Sequence, residues 1–98
     1  VEAWIYSSGS DKNHAIAETI LNNLEEVGIS NNRGVRTGTQ FNSQDDYIVI
    51  EQTNMTSLII EMGFISNEKD VELYDENMDD YAAAIANGII AWLNEYCN

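Results

Sequence analysis

The stretch Ser57-Leu58-Ile59-Ile60-Glu61-Met62-Gly63-Phe64-Ile65-Ser66-Asn67 constrains the fold more than any other part of the chain. Leu58-Ile59-Ile60 is a continuous apolar run rather than an alternating one, which is the pattern of a short strand buried on both faces. Such a strand needs layers packed against it, and the rest of the sequence offers helices. The run ends on a carboxylate, Glu61, and the chain then turns at Gly63.

The other elements follow from periodicity. Val1-Glu2-Ala3-Trp4-Ile5-Tyr6 alternates in polarity as a strand does. After the turn Ser7-Ser8-Gly9-Ser10, the sequence SDKNHAIAETILNNLEEVG reads as a helix capped by Ser10 or Asp11 and stopped by Gly28. Its apolar stripe is Ile16, Ile20, Leu24 and Val27. Residues 29–46 form a polar loop around a short extended piece at Val35. Tyr47-Ile48-Val49-Ile50 is strand-like in content, and residues 51–56 turn the chain into the strand that ends at Glu61. Asn67 opens a second, short helix with Glu68 and Asp70 at the positive end of its dipole. DENMDDYAAAIANGIIAWLNEY supplies the last helix, with Tyr81, Ile85, Ile89, Trp92, Leu93 and Tyr96 on one face and Gly88 placed for close packing. The order of elements is that of an α/β protein, a sheet flanked by helices.

Charge narrows the function. Seventeen acids against four bases leave a net charge of −13, so no basic patch can displace counterions from phosphates. Neither a nucleic acid nor an unaided anionic membrane is a fitting partner. Cys97 is the only cysteine, which rules out a disulfide framework and a cysteine zinc site. No apolar run reaches the length of a membrane span, and no signal peptide is present, so any targeting information lies outside these residues. A chain of 98 residues is at most one small domain or a piece of a larger one, and strand-like sequence opening directly at Val1 reads as cut from something longer.

Few residues carry chemistry. Asp75, Asn77 and Asp79 have the odd-position spacing of a calcium loop, but the sixth position is Asp80 instead of Gly and the twelfth is Ala86 instead of Glu. The cluster reads as a solvated turn capping the last helix. His14 is the only histidine and has no partner with which to hold a metal, so it reads as a surface or cap residue. Arg33 and Arg36 are half of the basic residues; contact with a substrate is one reading, and a structural tie to a carboxylate or to backbone carbonyls is the favoured one. Glu61 remains, and it reads either as a strand-end acid that faces solvent or caps the Gly63 turn, or as a site residue. At the carboxyl end of a strand, where sites in open α/β sheets collect, and backed by Leu58, Ile59, Ile60 and Phe64, it has a setting suited to general acid and base work.

The segment IIEMGFISNEKDVELY resembles the C-terminal signature of the zinc-dependent N-acetylmuramoyl-L-alanine amidases, an apolar strand leading to Glu, Gly-Phe and Ser-Asn. VEAWIYS is similar to the strand after that family's last zinc ligand, NNRGVR to a following loop, and AAAIANGIIAWL to its closing helix. The resemblance covers residues 1–98, as the C-terminal portion of one catalytic domain. It implies that Glu61 is the catalytic carboxylate. Glu61 would take a proton from a zinc-activated water and return it to the leaving amine as the amide between N-acetylmuramic acid and L-alanine breaks. It also implies that zinc is the cofactor, with all of its ligands in the preceding part of the domain and none in this chain, so the chain alone should not hydrolyse peptidoglycan. Peptidoglycan and the missing N-terminal part are the implied partners, and the implied location is extracytoplasmic, in an autolysin, an endolysin or a hydrolase of spores or septa. Alternatives are a non-catalytic binding module that keeps the fold without the metal site, and an enzyme completed by a second chain.

Overall fold

The computed structural model describes residues 1–97. The elements are β1 (Glu2–Ile5), α1 (Asp11–Val27), β2 (Val35–Arg36), α2 (Ile48–Glu51), β3 (Leu58–Glu61) and α3 (Glu68–Tyr96). β1 is the middle strand of a three-stranded sheet. It pairs in parallel with β2, Ala3 against Val35, and antiparallel with β3, Glu2 against Glu61 and Ile5 against Leu58. β1, α1 and β2 form one β-α-β unit, and the mixed sheet with its helices is an α/β architecture.

Alternation along the strands sorts the sheet into two faces. Val1, Ala3 and Ile5 join the core made with α1 and α3, and Leu58 and Ile60, opposite Ile5 and Ala3, pack against it. Glu2, Trp4, Ile59 and Glu61 belong to the other face. There the Tyr47 ring stands edge-on to Trp4, 5.5 Å between ring centres, and Ile50 is buried.

α1 and α3 lie antiparallel. The Tyr81 hydroxyl donates to the Gly28 carbonyl at 2.6 Å at one end, and Trp92 Nε1 donates to the Lys12 carbonyl at 2.8 Å at the other. Burial lifts the Tyr81 phenol above its ordinary pKa, so it remains a donor. Midway, Gly88 faces Ile20 so closely that a Cβ would lie 2.8 Å from Ile20 Cγ1 and 3.2 Å from Ile20 Cα. Gly88→Ala would gain about 1 kcal/mol of helix propensity but forces the helices apart, at a cost of about 1–3 kcal/mol. The expected net result is a loss of about 1 kcal/mol, read as a lower denaturation midpoint with an unchanged slope; a stabilised variant would mean that the crossing is looser than drawn.

Several expectations change. Tyr47-Ile48-Val49-Ile50 is not a strand: Ile48–Glu51 is one helical turn, with Ile50 N and Glu51 N both 2.9 Å from the Tyr47 carbonyl. β3 is an edge strand, and all four of its residues are half-buried rather than buried on both sides. The two C-terminal helices are both present and follow each other without a connecting loop within Glu68–Tyr96, meeting at a kink at Asn77 (φ −122°, ψ 17°), whose side-chain amide donates to the Leu73 carbonyl at 2.9 Å. That bond to the carbonyl four residues back accounts for the kink. The Asp75–Asp80 cluster is therefore solvated helix surface around the kink, not a turn. On α3 the buried line is Tyr81, Ala84, Gly88 and Trp92 with Ile85 and Tyr96 beside it, and Ile89 and Leu93 are exposed. The close approach at Gly88 turns the small residues inward and rotates those two away.

Candidate functional site around Glu61

Glu61 is the last residue of β3 and lies on the sheet face away from α1 and α3. Because β3 runs antiparallel to β1, the carboxyl end of β3 is beside the amino end of β1. Glu61 is thus not at the shared carboxyl edge of β1 and β2, and the expectation drawn from strand ends in open parallel sheets does not hold. The sheet instead sets Glu61 directly across from Glu2.

Two carboxylates in that relation repel each other. Glu2 is only 4% exposed, and its charge is met by Arg33 from the loop before β2 and by Arg36 from β2 itself: Arg33 Nη1 lies 3.1 Å from Oε1 and Arg36 Nε 3.5 Å from Oε2. Arg36 also lies over the Trp4 ring, 6.0 Å from its centre, and Arg33 over the Phe64 ring at 5.0 Å. The structural role expected for the two arginines is what they have, and its consequence reaches the site. The two guanidinium groups compensate the Glu2 charge and so weaken its repulsion of the facing Glu61 side chain. Among the described residues Glu61 has no side-chain hydrogen bond or ion pair, so its lone pairs are free to accept a proton.

The turn after Glu61 is fixed from the opposite side. Gly63 adopts φ +150°, a value that disfavours any residue with a Cβ, and a Cβ there would lie 2.9 Å from that of Asp70. Phe64 N–H donates to Asp70 Oδ2 at 2.9 Å, and the Ser30 hydroxyl donates to Asp70 Oδ1. The bond from Ser30 first, then the one from Phe64, hold the Asp70 carboxyl below its ordinary pKa of 3.8. The tie is therefore complete above that value and is lost as pH falls through the lowered one. Asn67 caps α3, its side-chain oxygen accepting from Asp70 N–H at 3.1 Å. Phe64, expected among the apolar residues that back Glu61, is turned outward instead. It is 43% exposed, because the bond to Asp70 directs the chain outward and the ring offers its face to Arg33.

A hollow of about 400 Å³ opens on the α3 side of this turn, lined by Met62, Phe64, Ile65, Val71, Tyr74 and Asp75 among others. Glu61 is not part of its wall, so the hollow and the free carboxylate are separate features. His14 lies exposed in the first turn of α1. Among the described residues no three His, Cys, Asp or Glu side chains are grouped to hold a metal ion, and no helix is long and apolar enough to cross a membrane. One carboxylate does not meet the three protein ligands that a catalytic zinc requires. Sequence reasoning found Glu61, Arg33 and Arg36, gave no role to Glu2, and read Asp70 only as a favourable charge at the start of a helix and not as a tie to the turn after β3. The signal for Glu2 was its place in a strand otherwise made of buried residues, and for Asp70 its position three residues after a capping Asn.

Residues 1–91 match the N-acetylmuramoyl-L-alanine amidase family. The chain is 30% identical over 87 residues to the probable cell wall amidase LytH of Staphylococcus saprophyticus, covering 87% of this chain and 28% of that protein. It is 26% identical over 86 residues to the LytH of Staphylococcus epidermidis, covering 88% and 26%. It is 29% identical over 68 residues to that of Staphylococcus aureus, covering 69% and 21%. The chain thus spans about a quarter of the length of these relatives. No solved structure matches it.

Proposed function

Because the chain belongs to the N-acetylmuramoyl-L-alanine amidase family, we propose that it is the C-terminal portion of the catalytic domain of a peptidoglycan hydrolase that acts outside the cytoplasm on the cell wall. The bond broken is the amide between N-acetylmuramic acid and the L-alanine of the stem peptide. The observation that carries this reading is Glu61, a half-buried carboxylate at a strand end with no side-chain partner, standing in the sequence EMGFISN.

Glu61 takes a proton from the attacking water and delivers it to the leaving nitrogen, acting first as base and then as acid. The edge strand and the tied turn hold its carboxylate in one place, which removes the entropic cost of finding the reacting atoms. Zinc, whose ligands would lie outside these residues, would when bound supply Lewis-acid polarisation of the carbonyl and a more acidic water. Phe41, Ile48 and Ile65 leave 89%, 75% and 95% of their surface exposed, and apolar surface of that kind suits a face that the zinc-bearing part of the same domain covers.

The test uses the full-length protein that contains this chain, incubated with purified peptidoglycan. New alanine amino groups without new reducing sugar ends are the expected products. Reducing ends without amino groups would assign the enzyme to the glycan strand. Retention on the wall polymer with neither product would replace the reading with the non-catalytic binding module.

A further inference from the structure

We infer that Asp70 is a positioning residue for Glu61, tying the turn after β3 to the loop after α1 and to the first turn of α3. The inference rests on the assignment of Glu61 as the proton carrier.

β3 is an edge strand, so hydrogen bonds from one neighbour, β1, hold its end. A strand end held on one side frays unless something beyond it fixes the chain. The residues immediately beyond supply that restraint. Gly63 presses its backbone against the Asp70 side chain, as the 2.9 Å approach of an added Cβ to Asp70 Cβ measures. The next amide, Phe64 N–H, donates to Asp70 Oδ2 at 2.9 Å, and the other carboxylate oxygen takes the Ser30 hydroxyl. One carboxylate therefore joins the turn after β3, six residues before it, to the start of α3 and to the loop after α1, forty residues before it. Its own position is set by its N–H bond to the Asn67 cap and by the bond of Asn67 N to the Phe64 carbonyl at 2.9 Å. From the far side the Arg33 guanidinium, anchored on Glu2, rests on the Phe64 ring.

A purely structural role is the competing account, since an acid in the first turn of a helix favours the dipole wherever it points. Glu68 is the control: it is in the same turn of α3 and has no bond to the Gly63-Phe64 turn. The experiment compares Asp70→Ala, Asp70→Asn, Ser30→Ala and Glu68→Ala in the full-length protein. The readouts are kcat and KM on a muramoyl-peptide and the hydrogen-exchange protection of the Phe64 amide.

Displacement of a reacting group by about an ångström costs about 100-fold in rate. Asp70→Ala should therefore lose about 100-fold in kcat with KM unchanged, and Phe64 should lose its protection. Asp70→Asn keeps an oxygen for the Phe64 amide and should recover at least about tenfold of that rate. Ser30→Ala, which removes only the second anchor, should fall between the wild type and Asp70→Ala, and it carries the test if Asp70→Ala does not fold. Wild-type kcat in Asp70→Ala, unchanged Phe64 protection, or an equal loss in Glu68→Ala would each overturn the inference. A wild-type protein that hydrolyses no muramoyl amide, yet loses Phe64 protection on Asp70→Ala, would remove the proposed function and leave the tie in place.

Discussion

Glu61→Gln, introduced into the full-length protein, is expected to lower kcat for muramoyl amide hydrolysis by about 1,000-fold, within the span that a positioned acid-base group supplies. The substitution is close to isosteric. It keeps the backbone pairing of residue 61 with Glu2 and removes only the ability to carry a proton. Stability should not fall, because the change also removes one of two carboxylates that stand opposite each other across the sheet. Zinc content should be that of the wild type, since the ligands are assigned to another part of the domain. Near-normal turnover would take Glu61 out of the mechanism. Loss of zinc together with turnover would make Glu61 a ligand instead of a base.

How much of this could be read beforehand depended on where local pattern and tertiary position agree. α1 was legible because an apolar stripe at helical spacing, a Ser cap and a Gly stop all point the same way, and the structure buries Ile16, Ile20 and Leu24 as that stripe requires. Tyr47-Ile48-Val49-Ile50 was not, because four β-rich residues carry no period that separates strand from helix. What decides the outcome is that Tyr47 is held against Trp4 and Ile50 alone goes inside, while Ile48 and Val49 remain exposed. The sheet inverts the simple reading of polarity. The alternating segment at Glu2–Ile5 is the fully buried middle strand, and the continuous apolar run at Leu58–Glu61 is the half-buried edge. Glu2 can be buried only because Arg33 and Arg36 arrive from β2 and the loop before it, some thirty residues on, a pairing no local pattern announces.

The candidate site was legible to the same extent and no further. Glu61 and the need for Gly63 stand in the sequence as a strand end and a turn, and Gly63 indeed takes a conformation that a Cβ would strain. The direction of β3 was not legible, since antiparallel pairing with β1 follows from the packing of the chain and not from residues 57–67. That direction moves Glu61 to the amino end of β1 and brings it opposite Glu2. The neutralisation of Glu2 by two arginines and the tie through Asp70 follow from this placement, and both are long-range effects.

Leu24→Ala should separate support of the fold from chemistry at the site. Leu24 is fully buried at the C-terminal part of α1, and its carbonyl accepts the Gly28 N–H that closes the helix at 3.1 Å. Alanine keeps the helix, which it favours, so the loss is one of packing: the transfer energy of the deleted atoms plus the cavity left between α1 and its neighbours. The expected cost is about 3–4 kcal/mol. Against a total of about 5–15 kcal/mol for a domain, that removes a large part of the margin. It is measured as a lower midpoint of denaturant unfolding with the slope unchanged. Leu24 has no part in the Asp70 tie or the Glu2–arginine group, so kcat per folded molecule, measured well below the transition, should equal that of the wild type. Glu61→Gln should give the reverse pattern, with stability kept and turnover lost. A stability loss under about 1 kcal/mol would show that the core relaxes around the deletion, and a parallel fall in kcat would show that α1 sets the geometry of the site through the sheet.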